Sequence, residues 1–143
     1  MNARDLIAIN IVETLTDMND PKPVFVSREP VEVDDLANSQ LPCLIVRTAG
    51  EDRTDATMTG ANIRRTSLVT YEITGYTRGI PIDTEINQFV EAIERTLDVD
   101  RTRGGNALNS TITSIAVNTD REPPFGEFVV TFDVFYTFKR GQA

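Results

Sequence analysis

The stretch EFVVTFDVFYTFKRG, residues 127–141, constrains the fold more than any other part of the chain. Side chains alternate between the two faces of a β-strand. At that period Phe128, Val130, Phe132, Val134, Tyr136 and Phe138 share one face, and Val129, Thr131, Asp133, Phe135 and Thr137 share the other. The first face must be covered. The second, with Val129 and Phe135 among polar groups, asks for partial cover, and the rest of the chain has to supply both.

Two segments can act as covers. Residues 3–18 read as a helix, with Asn2 as cap, Asp5 in the first turn where the helix dipole favours an acid, and Leu6, Ile9, Val12 and Leu15 recurring on one side. Ile7 and Ile11 widen that stripe. Asp20-Pro21-Lys22-Pro23 ends it, because proline cannot continue a helix. The second helix spans 83–98, with Asp83 as cap and Ile86, Phe89, Val90, Ile93 and Leu97 at helical spacing.

Strands fill the remainder. VFVS, 24–27, is a short edge strand, and LPCLIVRT, 41–48, is a continuous apolar run suited to a strand buried on both faces. Residues 64–78 alternate, with Val69, Tyr71 and Ile73 on one side and Leu68, Thr70, Glu72 and Tyr76 on the other. Between these two strands, AGEDRTDATMTGAN has almost no large apolar group, which predicts an extended hairpin with a long polar tip. DVDRTRGGNALNS connects the second helix to TITSIAVNT, where the apolar parity slips between Ile112 and Ile115 and so predicts a bulge. Strand, helix and strand across 64–119 form a crossover unit. The fold class is α+β: one domain over residues 1–143, with a mixed or antiparallel sheet of about four to five strands, two main helices packed on it and a long polar hairpin loop.

Composition narrows the function. A net charge of -8, from 22 acidic and 14 basic groups, argues against nucleic acid as a general or sequence-specific partner, since phosphate binding draws on a basic face. No apolar run reaches the ~18 residues of a membrane span. The opening MNARDLIAINIVETLTDM carries acids inside its apolar stretch and has no small-residue cleavage site, so a cytosolic protein is expected. There is no histidine, which removes the usual general base, the commonest metal ligand and the third member of most nucleophile triads. The expectation is a protein that is not an enzyme, with no catalytic residue, metal or cofactor.

The other chemical motifs fail on spacing. Asp98-Val99-Asp100 begins like a calcium loop, but Arg103 stands where glycine is needed and Asn109 where glutamate is needed. Gly104-Gly105 follows a helix and so is not a phosphate loop. Asn109-Ser110-Thr111 spells a glycosylation sequon in a chain without an export signal. Cys43, the single cysteine, reads as a core residue, with a reactive thiol as the alternative. Glu29, Glu32, Asp34 and Asp35 form an acidic cluster that reads as a solvated loop, with a hard-cation site as the alternative. Arg64-Arg65 and Arg101-Thr102-Arg103 are candidates to meet acidic partners, against local pairing within the chain. Of the basic residues only Lys22 and Lys139 are lysine, and arginine is the one enriched at protein contacts.

The order of the parts resembles a known family. A short N-terminal helix, an acidic loop ahead of a buried strand (VEVDDLANSQLPCLIVRTAGED), a long polar loop, TSLVTYEITGYT, the helix IDTEINQFVEAIERTL and a final hairpin closing on FVVTFDVFYTF are similar to the tail-terminator, or tail-completion, proteins of long-tailed bacteriophages. The likeness covers nearly the whole chain as pattern and length, and carries no functional residue over. It implies a structural virion protein made in the bacterial cytoplasm. Such a protein forms a ring, a hexamer in that family, on the head-proximal end of the tail, ends growth of the tail tube protein and offers its other side to the connector or neck. On that reading Glu51, Asp52, Arg53 and Asp55 reach towards a neighbour or the tube, while Val129 and Phe135, with Arg64, Arg65, Arg101 and Arg103, are the candidate interface. The rivals are a neck or connector protein of the same junction and a ferredoxin-like binding module or small enzyme using a cleft between helix 83–98 and the sheet, the enzyme being disfavoured by the missing histidine.

Overall fold

The computed structural model of the protein describes residues 2–30, 36–55, 64–118 and 125–139. The elements are α1 (Ala3–Thr16), β1 (Phe25–Ser27), β2 (Cys43–Asp55), β3 (Arg64–Arg78), α2 (Ile82–Asp98), β4 (Asn109–Asn118) and β5 (Phe125–Lys139). They build a five-stranded sheet in the order β1-β2-β3-β5-β4, parallel between β1 and β2 and antiparallel elsewhere. The α+β class read from the sequence is therefore the observed one.

The closing strand sits where its alternation demands. β5 lies between β3 and β4, and its Phe128, Val130, Phe132, Val134, Tyr136 and Phe138 are all buried under the helices. α2 supplies Ile86, Phe89, Val90, Ala92, Ile93 and Leu97, with the Phe89 and Phe128 rings 5.6 Å apart. That packing fills the space between α2 and the sheet. α1 supplies Ile7, Ala8, Ile11 and Leu15. Its buried stripe is thus displaced from the one first read: Leu6 is 39% exposed, while Ile9 and Val12 are half-buried. The i, i+4 series Ile7, Ile11, Leu15 points inward because only that row faces both the sheet and α2.

Asn2 caps α1 by accepting from the Asp5 amide at 2.9 Å, as expected. α2 starts one residue earlier than read: Pro81 holds the cap position without a side-chain bond, and Asp83 lies inside the first turn, where its charge meets the dipole instead. The connection β3-α2-β4 joins two strands that run in the same direction with β5 inserted between them.

Residues 49–55 depart from the polar loop that the sequence predicts. They are not loop but the continuation of β2, paired with β3 through Asp55 opposite Arg65. Polar residues can form this strand because one of its faces looks away from the core. Residues 56–63, the rest of the expected polar tip, lie outside the described residues. The bulge expected between Ile112 and Ile115 is present as a register shift between Ile112 and Ser114. A second shift, between Thr48 and Gly50, was not anticipated.

Candidate assembly surfaces

Both helices lie on one face of the sheet. The opposite face carries Ile45, Leu68, Thr70, Glu72, Thr74, Tyr76, Val129, Thr131, Asp133 and Phe135, which the strand registers place in adjoining rows. Leu68 opposes Phe135, and Thr74 lies between Ile45 and Val129. Apart from Ile45, these side chains are half-buried by their neighbours alone. The Thr70 hydroxyl donates to Asp133 at 2.7 Å and Arg47 donates to Glu72 at 2.7 Å, so both carboxylates of this face are already matched. A groove of about 360 Å³ opens here between Arg28 and the strands, with Ile45, Arg47, Glu72, Tyr76 and Val129 along it. Val129 and Phe135 are therefore both on this open face, as the alternation required.

The Thr48/Gly50 shift decides where the acidic and basic groups after it go. Glu51 opposes Val69 and Arg53 opposes Ser67, and Val69 and Ser67 are buried on the helix side. The shift thus turns Glu51 and Arg53 inward under the N-terminus of α1. Arg53 Nε donates to Glu51 Oε2, the Tyr136 hydroxyl donates to Glu51 Oε1 at 2.8 Å, and Arg4 Nε lies 3.7 Å from Oε1. The Glu51 side chain is 9% exposed. Burial pushes its carboxyl up, but the hydrogen bonds from Arg53, Tyr136 and Ser67 outweigh that and hold it below its ordinary value. Tyr136 is pushed up, by burial first and by its bond to the carboxylate second. The Arg53 guanidinium also stands 4.6 Å from the centre of the Phe138 ring. Nearby, the Tyr71 hydroxyl donates to the Arg4 carbonyl at 2.9 Å. The cluster ties α1 to the β2-β3 hairpin and does not reach outward.

Arg103 is the other reversal. It is 0% exposed, with φ at 51°, and its Nη2 donates to the carbonyls of Leu97 and Asp100 at the C-terminus of α2. A cation there meets the negative end of the helix and carbonyls that no helical amide can satisfy. Its guanidinium lies 5.6 Å from the centre of the Phe132 ring. Burial lowers its proton affinity, and the charges of Asp100 and Asp98 oppose that. Arg103 cannot contact a partner from this position. Asp100, far from forming a calcium loop, folds the turn: it accepts from the Thr102 hydroxyl at 2.6 Å, the Thr102 amide at 2.9 Å and the Gly104 amide at 2.9 Å, which holds its carboxyl down at about 2.

The other expected contacts divide. Arg101 is exposed, 3.9 Å from Asp98, and Asp52 is exposed. Arg65 is half-buried on the helix side beside Phe138, and the strand registers put Arg64 opposite Lys139 and Asp55 opposite Arg65. Glu32, Asp34 and Asp35 lie outside the described residues, and no group able to hold a metal occurs among the described residues. No helix is long and apolar enough to cross a membrane. Cys43 is buried and its thiol is pushed up to about 11 by burial, which fits a core role.

Two features escaped the sequence reading. β4 is an edge strand with Ile115 and Val117 exposed at 44% and 47%, and β1 covers only Cys43–Ile45 of β2. The sheet therefore ends in an open edge at each side among the described residues. The signal for the first was present: NSTITSIAVN contains none of the charges or prolines with which edge strands are usually guarded.

No protein-family model matches the chain, and no curated protein matches it. Among solved structures, the chain is similar to one in the virion of a native gene transfer agent (GTA) particle, with a TM-score of 0.44 and 10% identity over 90% of this chain and 84% of that one.

Proposed function

We propose that the protein is a structural component of a virion that assembles as a ring, hexameric by the family pattern it resembles, on the end of a phage tail tube. There it ends polymerisation of the tube protein and presents its other side to the head-tail connector or neck. No catalysis is assigned to it.

The observation that carries this reading is the one-sided cover of the sheet. Helices bury one face, while the other is half-buried and carries an apolar pair, Leu68 opposite Phe135, at one end and Val129 beyond the polar rows Thr70-Asp133 and Glu72-Thr131, and both sheet edges are open among the described residues. A sheet face without a helical cover and unguarded edges are what assembling protomers use, because each has to meet a copy or a partner on more than one side. The element order shared with tail-terminator proteins supports the location at the tube end. Asp52 and Arg101, both exposed, remain candidate polar contacts.

The test is negative-stain electron microscopy and light scattering of the purified protein, alone and mixed with tubes of its tail tube protein. Closed rings, or rings seated on tube ends, are expected. Monomers alone at high concentration, and bare tubes in the mixture, would sink the reading.

A further inference from the structure

We propose that neighbouring copies join edge to edge, β4 of one pairing antiparallel with Val46–Thr54 of β2 in the next, so that the sheet runs on from protomer to protomer. This rests on the ring reading and adds to it which strands meet and in what register.

The two edges match in length and direction. β2 has thirteen residues and β1 pairs with three of them, which leaves ten against the ten residues of β4. Along the order β2-β3-β5-β4 the direction alternates, so β4 opposes β2. A copy set beside the first with the same face towards the helices therefore meets β4 with an antiparallel β2, and no strand has to reverse.

The bulges then select one register. On the helix side β2 presents Val46, Thr48, Glu51 and Arg53, opposite Ile73, Tyr71, Val69 and Ser67. On the same side β4 presents Ser110, Ile112, Ile115 and Val117, opposite Val134, Phe132, Val130 and Phe128. Each strand has a single three-residue step, Thr48 to Glu51 and Ile112 to Ile115, where its parity breaks. Only one antiparallel alignment superimposes the two steps: Val117 opposite Val46, Ile115 opposite Thr48, Ile112 opposite Glu51 and Ser110 opposite Arg53. Any other alignment that keeps both steps within the overlap sets helix-side residues against residues of the open face or against a bulge residue, and those that slide the steps past the strand ends pair six residues or fewer.

Charge and exposure agree with it. β4 has no charged residue, and on the β2 side Arg47 and Arg53 are already paired with Glu72 and Glu51, while the exposed Asp52 lies on the face away from the helices. It also covers Ile115 and Val117, two of the exposed large apolar side chains. Pairing of β4 with β4 of a second copy would preserve the faces as well, but it closes after two copies and leaves the β2 edge open.

Disulfide trapping tests the register. Within one chain Thr48 and Ile115 are three strand spacings apart, ~14 Å, too far for a bridge, which needs Cα atoms within ~7 Å. Cys43 is buried and does not compete. The variant carrying Thr48→Cys and Ile115→Cys, oxidised as rings form with or without tubes, should give a reducible ladder of covalent oligomers. Its yield should exceed that of Thr48→Cys with Ser114→Cys, whose second site faces the other way, about tenfold. Independently, Val117→Glu should abolish assembly while leaving the melt of the single chain unchanged. Rings with no ladder above the control, a covalent dimer between copies from Ile112→Cys with Ile115→Cys instead, or normal assembly of Val117→Glu would each overturn the edge pairing and leave the ring reading standing. Failure of the unmodified protein to assemble at all overturns both.

Discussion

Replacing Glu51 by Ala should cost the fold about 2–3 kcal/mol, and the reasoning runs through its partners. The Tyr136 hydroxyl belongs to a residue 1% exposed and bonds Glu51 Oε1 at 2.8 Å, so losing its acceptor strands a buried polar group, at ~1–3 kcal/mol. Arg53 and Arg4 are more open, with side chains 30% and 41% exposed. Their share is the ~0–1 kcal/mol of a screened pair. For a domain of this size the sum lowers Tm by roughly 6–12 °C. A double-mutant cycle with Tyr136→Phe should be clearly non-additive, since both changes remove the same bond. The pH dependence follows from the depressed carboxyl. A group whose folded pKa is lowered contributes stability that is present above its unfolded value, ~4.3 for glutamate, and is lost as the pH falls through the lower folded value. The gap between the protein and Glu51→Gln should therefore narrow on acidification below ~4. Thermal melts by circular dichroism read all three. A Glu51→Ala protein that melts with the unmodified one would show that this side chain is solvated and that the inward turn at the β2 bulge is wrong.

Gly75 lies opposite Phe128, and a Cβ there would stand 2.1 Å from the ring's Cζ; because Phe89 packs on that ring, Gly75→Ala should destabilise by ~1–3 kcal/mol in calorimetry. Arg103→Met should cost ~2–3 kcal/mol by releasing the carbonyls of Leu97 and Asp100, whereas Arg101→Glu should move the melt by less than ~1 kcal/mol, and equal effects would contradict the burial of Arg103. Phe135→Asp on the open face should leave the melt of the single chain nearly intact and suppress ring formation in light scattering; unimpaired rings would remove that face from the interface.

How far the fold was legible depended on whether burial left a mark on residue type. β5 was readable because its two faces differ chemically, and α2 because its inward side is wholly apolar. Residues 49–55 were not, since a strand that is polar on both sides has no alternation to see, and the one-residue shift after Thr48 reverses which side chains turn in. Glu51 and Arg53, two apart and oppositely charged directly after a buried strand, were the available hint: residues i and i+2 of a strand share a face. Arg103 left less to read, because what buries it is a set of backbone carbonyls at the end of α2, and carbonyls are the same in every sequence. The bulge in β4 was visible because it interrupts an apolar series, while its counterpart in β2 interrupts only polar residues. Yet the two have the same three-residue step, and that equality was visible only after the strand registers had given each residue its face. A parity break is neutral inside one sheet, where the partner strand simply accommodates it. At two open edges it acts as a key, because a strand carrying one can share a cover only with a strand carrying another at the matching place. That is why the surface most telling for assembly is the one composed of the least distinctive residues, the threonines, serines and small apolar groups of β4.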